Sequence, residues 1–393
     1  MAERQSSMAV GSTPSAPVVT AEVPSAGRVR AVVDATALQH NLRYLRALAP
    51  GTRIMAVVKA DGYGHGAATV AAALGSQADS FAVAAISEGV ALREAGVGAP
   101  ICVLGGVQDA ADWDQCLRHA LQVVVHARWQ WEQLQQRAHA PQYWIKLDTG
   151  MGRLGFNAEE WVQLQRQPQQ HPQQCQGLMT HLACADQPAH PLTRTQLARL
   201  AAAQMWAPDC PVSIANSAAL LAWPETRRGV VRPGLALYGV NPLADARASG
   251  NARGAEADVL RPALALEARV MAVRPLRAGD CVGYGGEWRA PADTRIAVIA
   301  AGYADGVPRC LGGTRFHLRD QQQRALPLRG RISMDMLTVE LPATSTVRAG
   351  DWLGVWGGNA LPVSEVAALA GTIPYELLTA LGGRVAHGLR RRP

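Results

Sequence analysis

The sequence predicts an α/β chain, a parallel (β/α)8 TIM barrel followed by a second, mostly β domain. Three observations carry that prediction. Eight short apolar runs between residues 54 and 239 alternate with stretches of helical spacing. From about Asp258 the texture changes to strand-like runs separated by Gly and Pro, with one late helix. The length of 393 residues exceeds one ordinary core and suits a barrel of roughly 250 residues with an addition.

Residues 1–28 form the first segment, rich in Ser, Pro, Ala and Val, with charge before residue 27 only at Glu3, Arg4 and Glu22. It lacks the continuous apolar stretch of a signal peptide and reads as a disordered tail. "RVRAVVD" follows as a strand, and its residues 29–34 are a candidate for packing with the C-terminal domain. Ala35 to Leu48 reads as an amphipathic helix through Leu38, Leu42, Leu45 and Leu48. The barrel strands are then expected at 54–59, 80–85, 100–106, 121–127, 143–149, 177–184, 212–217 and 230–239. Helical spacing between them is clearest in "ISEGVALREAG", "WQWEQLQQRAHA" and "LTRTQLARLAAAQMWA". The barrel is assigned to 29–257 and the β domain to 258–393, with the polar "NARGAEAD" (251–258) as the junction. In the β domain, "ALALEARVMAVRPL", "DTRIAVIAAGYADG", "ALPLRGRISMDMLTVELP" and "GDWLGVWGG" are the strand-like runs and "VSEVAALAGTI" is the helix.

Charge and cysteine usage exclude several classes of function. The net charge of +7 is spread over scattered arginines, and "GLRRRP" at the end is the only short basic cluster. No basic stretch is interleaved with aromatics, so no nucleic-acid partner is expected. No window approaches membrane-spanning length, so no membrane partner is expected either. The 7 cysteines contain no CxxC pair, which fits reduced, mostly buried thiols in a cytoplasmic protein. No metal site is expected.

Of the 38 Lys and Arg residues only Lys59 and Lys146 are lysine. An amine can lose its proton, attack a carbonyl or take up a small adduct, which a guanidinium does not do. Lys59 ends an apolar strand in "AVVKADGYGHG", at the C-terminal strand end where barrel chemistry is found, and the glycines after it allow close backbone approach to a ligand. Lys146 lies in "YWIKLDTGMGRLGF", where the two-residue period puts Lys146 and Asp148 on one face with Arg153 just beyond. The residues alone leave a simple Lys146–Asp148 ion pair open.

"AVVKADGYGHG" resembles the signature of the alanine racemases, pyridoxal-phosphate enzymes built from a (β/α)8 barrel and a C-terminal β domain. The likeness runs from about Arg30 to the end, through "KLDTGMGRLGF", "THLACAD", "ANSAA", "VRPGLALYG", "GYGGEW", "GYADG", "RISMDM" and "PYEL". Gly62 departs from it, standing where the family often has alanine.

The resemblance implies interconversion of L- and D-alanine, with D-alanine supplied for peptidoglycan or degraded. It implies that Lys59 holds pyridoxal 5'-phosphate as an internal aldimine and acts as one catalytic base, with Tyr284 as the second. Two bases on opposite faces suit racemisation because one fixed group reaches only one face of Cα well. In the family the tyrosine comes from the other subunit, which implies a homodimer with a shared active site. Arg232 is implied at the pyridine nitrogen. Tyr63, Ser217, the backbone near Gly234 and Leu235, and Tyr375 are implied at the phosphate. Asn216 beside Ser217 is a candidate for that site and for a plain helix cap, and both can hold, since a helix N-terminus is also an anion site. Lys146 is implied to carry a carbamate that fixes Arg153 against cofactor and substrate, and His181 to orient the catalytic tyrosine. Met334 and Asp335 are implied near the substrate carboxylate, and Tyr303 with Tyr375 at a narrow entrance.

Three other readings compete. A broad-specificity racemase acting on lysine, arginine or serine would use the same scaffold. A decarboxylase of the related two-domain family would use a cysteine in place of Tyr284. A non-catalytic cofactor-binding regulatory protein would need the barrel alone.

Overall fold

The computed structural model describes residues 25–243 and 260–390 together with Val23. Most of the expected tail, the junction at 251–258 and the last three residues of the basic cluster lie outside the described residues.

The first strand, β1 (Val29–Asp34), buries Val29, Ala31, Val32 and Val33. The Asp34 carboxylate then accepts from Ala37 N at 3.0 Å and starts the helix Ala35–Leu48, whose Leu38, Leu42 and Leu45 are buried. The barrel strands are β2 (Arg53–Val57), β3 (Ser80–Val83), β4 (Ile101–Val103), β5 (Leu121–Val125), β6 (Tyr143–Lys146), β7 (Cys175–Met179), β8 (Val212–Ser213) and β9 (Val230–Val231). They form an eight-stranded sheet in the order β8-β7-β6-β5-β4-β3-β2-β9, every ladder parallel. The seam between β8 and β9 is bridged by Arg232 N donating to Ala215 O at 2.8 Å and Ser213 Oγ donating to Val230 O at 2.7 Å. Strands covered on both faces are apolar over most of their length, as β5 is at Leu121, Val123, Val124 and Val125.

The second half contributes β10 (Leu264–Leu276), β11 (Cys281–Val282), β12 (Trp288–Arg289), β13 (Thr294–Ile299), β14 (His317–Arg319), β15 (Ala325–Pro327), β16 (Leu337–Leu341), β17 (Trp352–Gly357) and β18 (Ala386–Arg390). The chain's first strand joins this half, since β1 pairs antiparallel with β10 and parallel with β18. Asn41 ties the two halves: its Nδ2 donates to Leu237 O at 3.0 Å and to Arg261 O at 2.8 Å, and its Oδ1 accepts from Arg261 N at 2.8 Å.

Several strands end earlier than expected. The run 54–59 leaves the ladder after Val57, and 230–239 after Val231, where Pro233 has no N–H to offer and a 3-10 turn spans Leu235–Tyr238. The β domain has a second late helix, Pro374–Thr379, beside the expected one at Val363–Ala370. The thiols are not mostly buried: only Cys102 and Cys116 are, while Cys281 and Cys310 are exposed because they fall in short surface strands and turns.

Candidate active site

The site is organised by the turn that follows β2. Ala60, Asp61, Gly62 and Tyr63 all have φ between 51° and 63°, so the backbone makes one left-handed turn. That conformation costs an ordinary residue about 1–2 kcal/mol, and three of the four are not glycine. Hydrogen bonds from outside the turn hold it. Ala60 N donates to Glu88 Oε1 at 2.7 Å, Ala67 N donates to Asp61 Oδ1 at 2.8 Å, and His65 Nδ1 donates to Tyr63 O at 2.8 Å. Gly64 must be glycine, because a Cβ there would lie 1.9 Å from Leu378 O. This close approach seats the helix Pro374–Thr379 on the turn and brings Tyr375 to 5.9 Å from Tyr63, ring to ring. Below, Tyr63 stacks on Tyr238 at 4.9 Å, and the Tyr238 hydroxyl donates to Val57 O at 2.9 Å.

The turn forms one wall of a cavity of about 770 Å³ on the C-terminal ends of the barrel strands. Lys59, Tyr63, Lys146, Arg153, His181, Asn216, Ser217, Arg232, Gly234, Leu235 and Tyr375 all line it, as do Ile373, Glu376 and Thr379, which the sequence did not single out. Lys59 stands two residues beyond the end of β2, and Lys146 is the last residue of β6. Tyr284, Tyr303, Met334 and Asp335 do not line this cavity. All four lie in the β domain, and Tyr284, 73% exposed, sits at the turn between β11 and β12. Asp335 instead pairs with Arg384 at 2.8 Å.

One end of the cavity offers hydroxyls and amides. Ser217 Oγ accepts from Gly234 N at 2.9 Å and from Ala236 N at 3.1 Å, which leaves its own O–H to give. Asn216 caps the helix Ser217–Ala222 by accepting from Ala219 N at 2.9 Å, the ordinary use of that residue. The Tyr63 hydroxyl comes within 2.6 Å of where a Cβ on residue 234 would stand, so glycine makes room for it.

The strand-end side of the cavity gathers the cations Lys59, Lys146, Arg153 and Arg232. Arg232 is buried and donates to Ser213 Oγ, to Thr180 O at 2.6 Å and to Ile214 O at 3.4 Å, with His181 Nδ1 at 3.4 Å. Burial lowers its pKa to about 10, so it stays charged at neutral pH. Burial and the adjacent Arg232 and Arg153 lower Lys146 to about 8. Lys59 is lowered by burial and Arg153 and raised by Glu88. Burial, with Arg232, Lys146, Arg153 and Lys59 around it, lowers His181 to about 3 and keeps it neutral. Asp148 does not pair with Lys146, because its carboxylate accepts from Gly150 N, Met151 N and Gly152 N at 2.8–3.2 Å. Among the described residues neither lysine forms an ion pair.

The family model of the alanine racemase N-terminal domain matches residues 33–242, and that of the alanine racemase C-terminal domain matches 263–388. The chain belongs to the alanine racemase family. A family member from Thioalkalivibrio sulfidiphilus is 46% identical over 362 residues, covering 91% of this chain and 97% of its own. The alanine racemase of Halorhodospira halophila is 44% identical over 371 residues, covering 93% and 97%. Among solved family structures, the biosynthetic alanine racemase of Pseudomonas aeruginosa superposes with a TM-score of 0.81 at 36% identity, covering 94% of this chain and 100% of that one. The alanine racemase of Bartonella henselae, solved with covalently bound pyridoxal phosphate, has a TM-score of 0.81 at 29% identity, covering 93% and 100%. The family's fold is thus the barrel and β domain described above.

Proposed function

We propose that the protein racemises alanine with pyridoxal phosphate as a homodimer whose active sites are completed across the interface. The observation that carries this is the single cavity in which Lys59, Arg232 and the Tyr63, Ser217 and Gly234 cradle meet. The donor set fits the cofactor: a partly desolvated amine for its aldehyde, hydroxyls and amides for its phosphate, and a buried guanidinium for its ring nitrogen. Pyridoxal phosphate, when bound, supplies a carbonyl that takes up an amine and a ring that draws electron density from Cα.

Lys59 would hold the cofactor and carry a proton to and from one face of Cα, a task suited to an amine whose charged form is disfavoured by burial. Tyr284 of the partner subunit would serve the opposite face, a role that agrees with its exposed position outside the cavity of its own chain. Arg232, charged and unwilling to give up a proton, would keep the ring nitrogen unprotonated and limit electron withdrawal. His181, beside Arg232, would orient the partner's tyrosine. Met334, Asp335 and Tyr303 would belong to that same complementing face, near the substrate carboxylate and the entrance.

For Lys146 the carbamate reading gains over the ion pair. Its amine is shifted toward the neutral form that adds carbon dioxide, cations surround it, and Asp148 is engaged elsewhere. A carbamate there would return a negative charge for Arg153. All 7 cysteines are unpaired, in keeping with a cytoplasmic setting. Among the described residues no helix is long and apolar enough to cross a membrane.

Proton NMR in D2O with pyridoxal phosphate tests the reading. Cα exchange and D-isomer formation are expected with L-alanine and not with lysine or arginine. Activity on the basic amino acids would favour the broad-specificity alternative, and none on any substrate would leave a cofactor-binding protein.

A further inference from the structure

Glu88 is the third residue of the helix Ile86–Glu94, where a glutamate ordinarily reaches back to the chain just before the helix. One oxygen does this: Oε2 accepts from Ala84 N at 2.6 Å and from Ala85 N at 3.1 Å. The cap needs no more than that. The second oxygen crosses to the neighbouring strand exit and accepts from Ala60 N at 2.7 Å, the amide directly after Lys59. Ala60 is left-handed, with φ 51°, and both Ala60 and Ala84 line the active cavity. The carboxylate therefore joins the ends of β2 and β3 at the place where Lys59 enters the cavity.

Charge gives this geometry a second consequence. Arg153, Lys146, Arg232 and His181 face the same space from the other strand ends, and none of them is negative. The carboxylate of Glu376, also on the cavity wall, is held by the Thr372 hydroxyl, and Asp148 by the loop after β6. We infer that Glu88 is the positioning residue of Lys59: it fixes the peptide that follows the lysine and sets a negative charge beside an amine otherwise ringed by cations. The inference rests on Lys59 being the cofactor-holding amine. Glu88 touches neither cofactor nor substrate and acts through Lys59.

The test uses the two-lysine composition, since every acylated lysine side chain reports on Lys59 or Lys146. The full-length protein is treated with hydroxylamine to release pyridoxal phosphate, dialysed and labelled with acetic anhydride across pH, and the midpoints are read by peptide mass spectrometry. In Glu88→Gln, which keeps an acceptor and loses the charge, the Lys59 midpoint is expected to fall by about half a pH unit, roughly threefold more reactive amine at fixed pH. The Lys146 midpoint should hold. A folded Glu88→Gln protein with an unmoved Lys59 midpoint overturns the inference, because a purely structural clamp would not alter it. If Glu88→Gln does not fold, Glu88→Asp is read instead: its charge is drawn back by one methylene, a smaller fall supports the inference, and no fall overturns it. Whether Lys59 holds the cofactor is a separate outcome, and that reading fails if borohydride reduction leaves the pyridoxyl mass on another residue.

Discussion

The Tyr63 hydroxyl occupies the space a side chain on residue 234 would need, 2.6 Å from where a Cβ of Gly234 would stand. Tyr63 cannot retreat easily, since Tyr238 stacks beneath it at 4.9 Å and its own carbonyl is held by His65. Gly234→Ala should therefore push the hydroxyl off the cradle. Overpacking of this kind costs about 1–3 kcal/mol, and if it falls on the bound state it weakens cofactor binding by roughly 5- to 150-fold. Fluorescence titration with pyridoxal phosphate checks this. An unchanged Kd would mean that the Tyr63 hydroxyl does not take part in binding.

Lys146 should take up carbon dioxide in a pH-dependent way. Its pKa of about 8 means that the ammonium, which cannot add carbon dioxide, dominates below that pH and the amine above it. Carbamate formation from bicarbonate is thus expected to rise between about pH 7 and 9, seen as a labelled carbonyl by 13C NMR. The signal should vanish in Lys146→Arg and persist in Lys59→Ala. A bicarbonate-independent spectrum across that range would remove the carbamate from the mechanism.

The cavity was legible in the sequence where side chains carry its chemistry. Lysine stands only at Lys59 and Lys146 in a chain that otherwise uses arginine, each near a strand end, and that singles them out in the sequence. The expected strands overrun for a physical reason: Val58, Ile214 and Ala215 lie beyond the last residues of β2 and β8 yet stay buried, so the apolar runs continue into the rim. Glu88 was invisible because its partner across the site is the Ala60 backbone amide, which any residue offers. The helix Pro374–Thr379, six residues long, is too short for a periodic signal, and the glycine that receives it lies more than 300 positions earlier. Tyr284 carries no local mark at all, and the resemblance alone points to it.

Acid should destabilise the protein through His65. The ring is fully buried, its Nδ1 donates to Tyr63 O, and its Nε2 has no hydrogen-bond partner. Burial lowers its pKa from 6.5 to about 4. Between those values the unfolded chain binds a proton that the folded chain refuses, so stability falls as pH drops from about 6.5 toward 4. The full effect is on the order of 3 kcal/mol. His65→Asn keeps a donor for Tyr63 O and does not titrate, so its melting temperature should fall less steeply over that window. Parallel curves for the two proteins would show that other groups govern the acid limb.

The shared active site has a sharper test than loss of activity in a single variant. Lys59→Ala and Tyr284→Phe should each form dimers with little racemase activity, the second still binding pyridoxal phosphate with its colour intact. In a mixed dimer, the Lys59 of the Tyr284→Phe chain faces the Tyr284 of the Lys59→Ala chain, and one site of the two is whole. Random reassortment puts about half of the protein in such dimers, so an equal mixture should recover about a quarter of wild-type activity after dissociation and reassembly. Recovery requires that the two residues act across the interface. If both belonged to one chain, neither protomer would contain a complete pair and mixing would restore nothing.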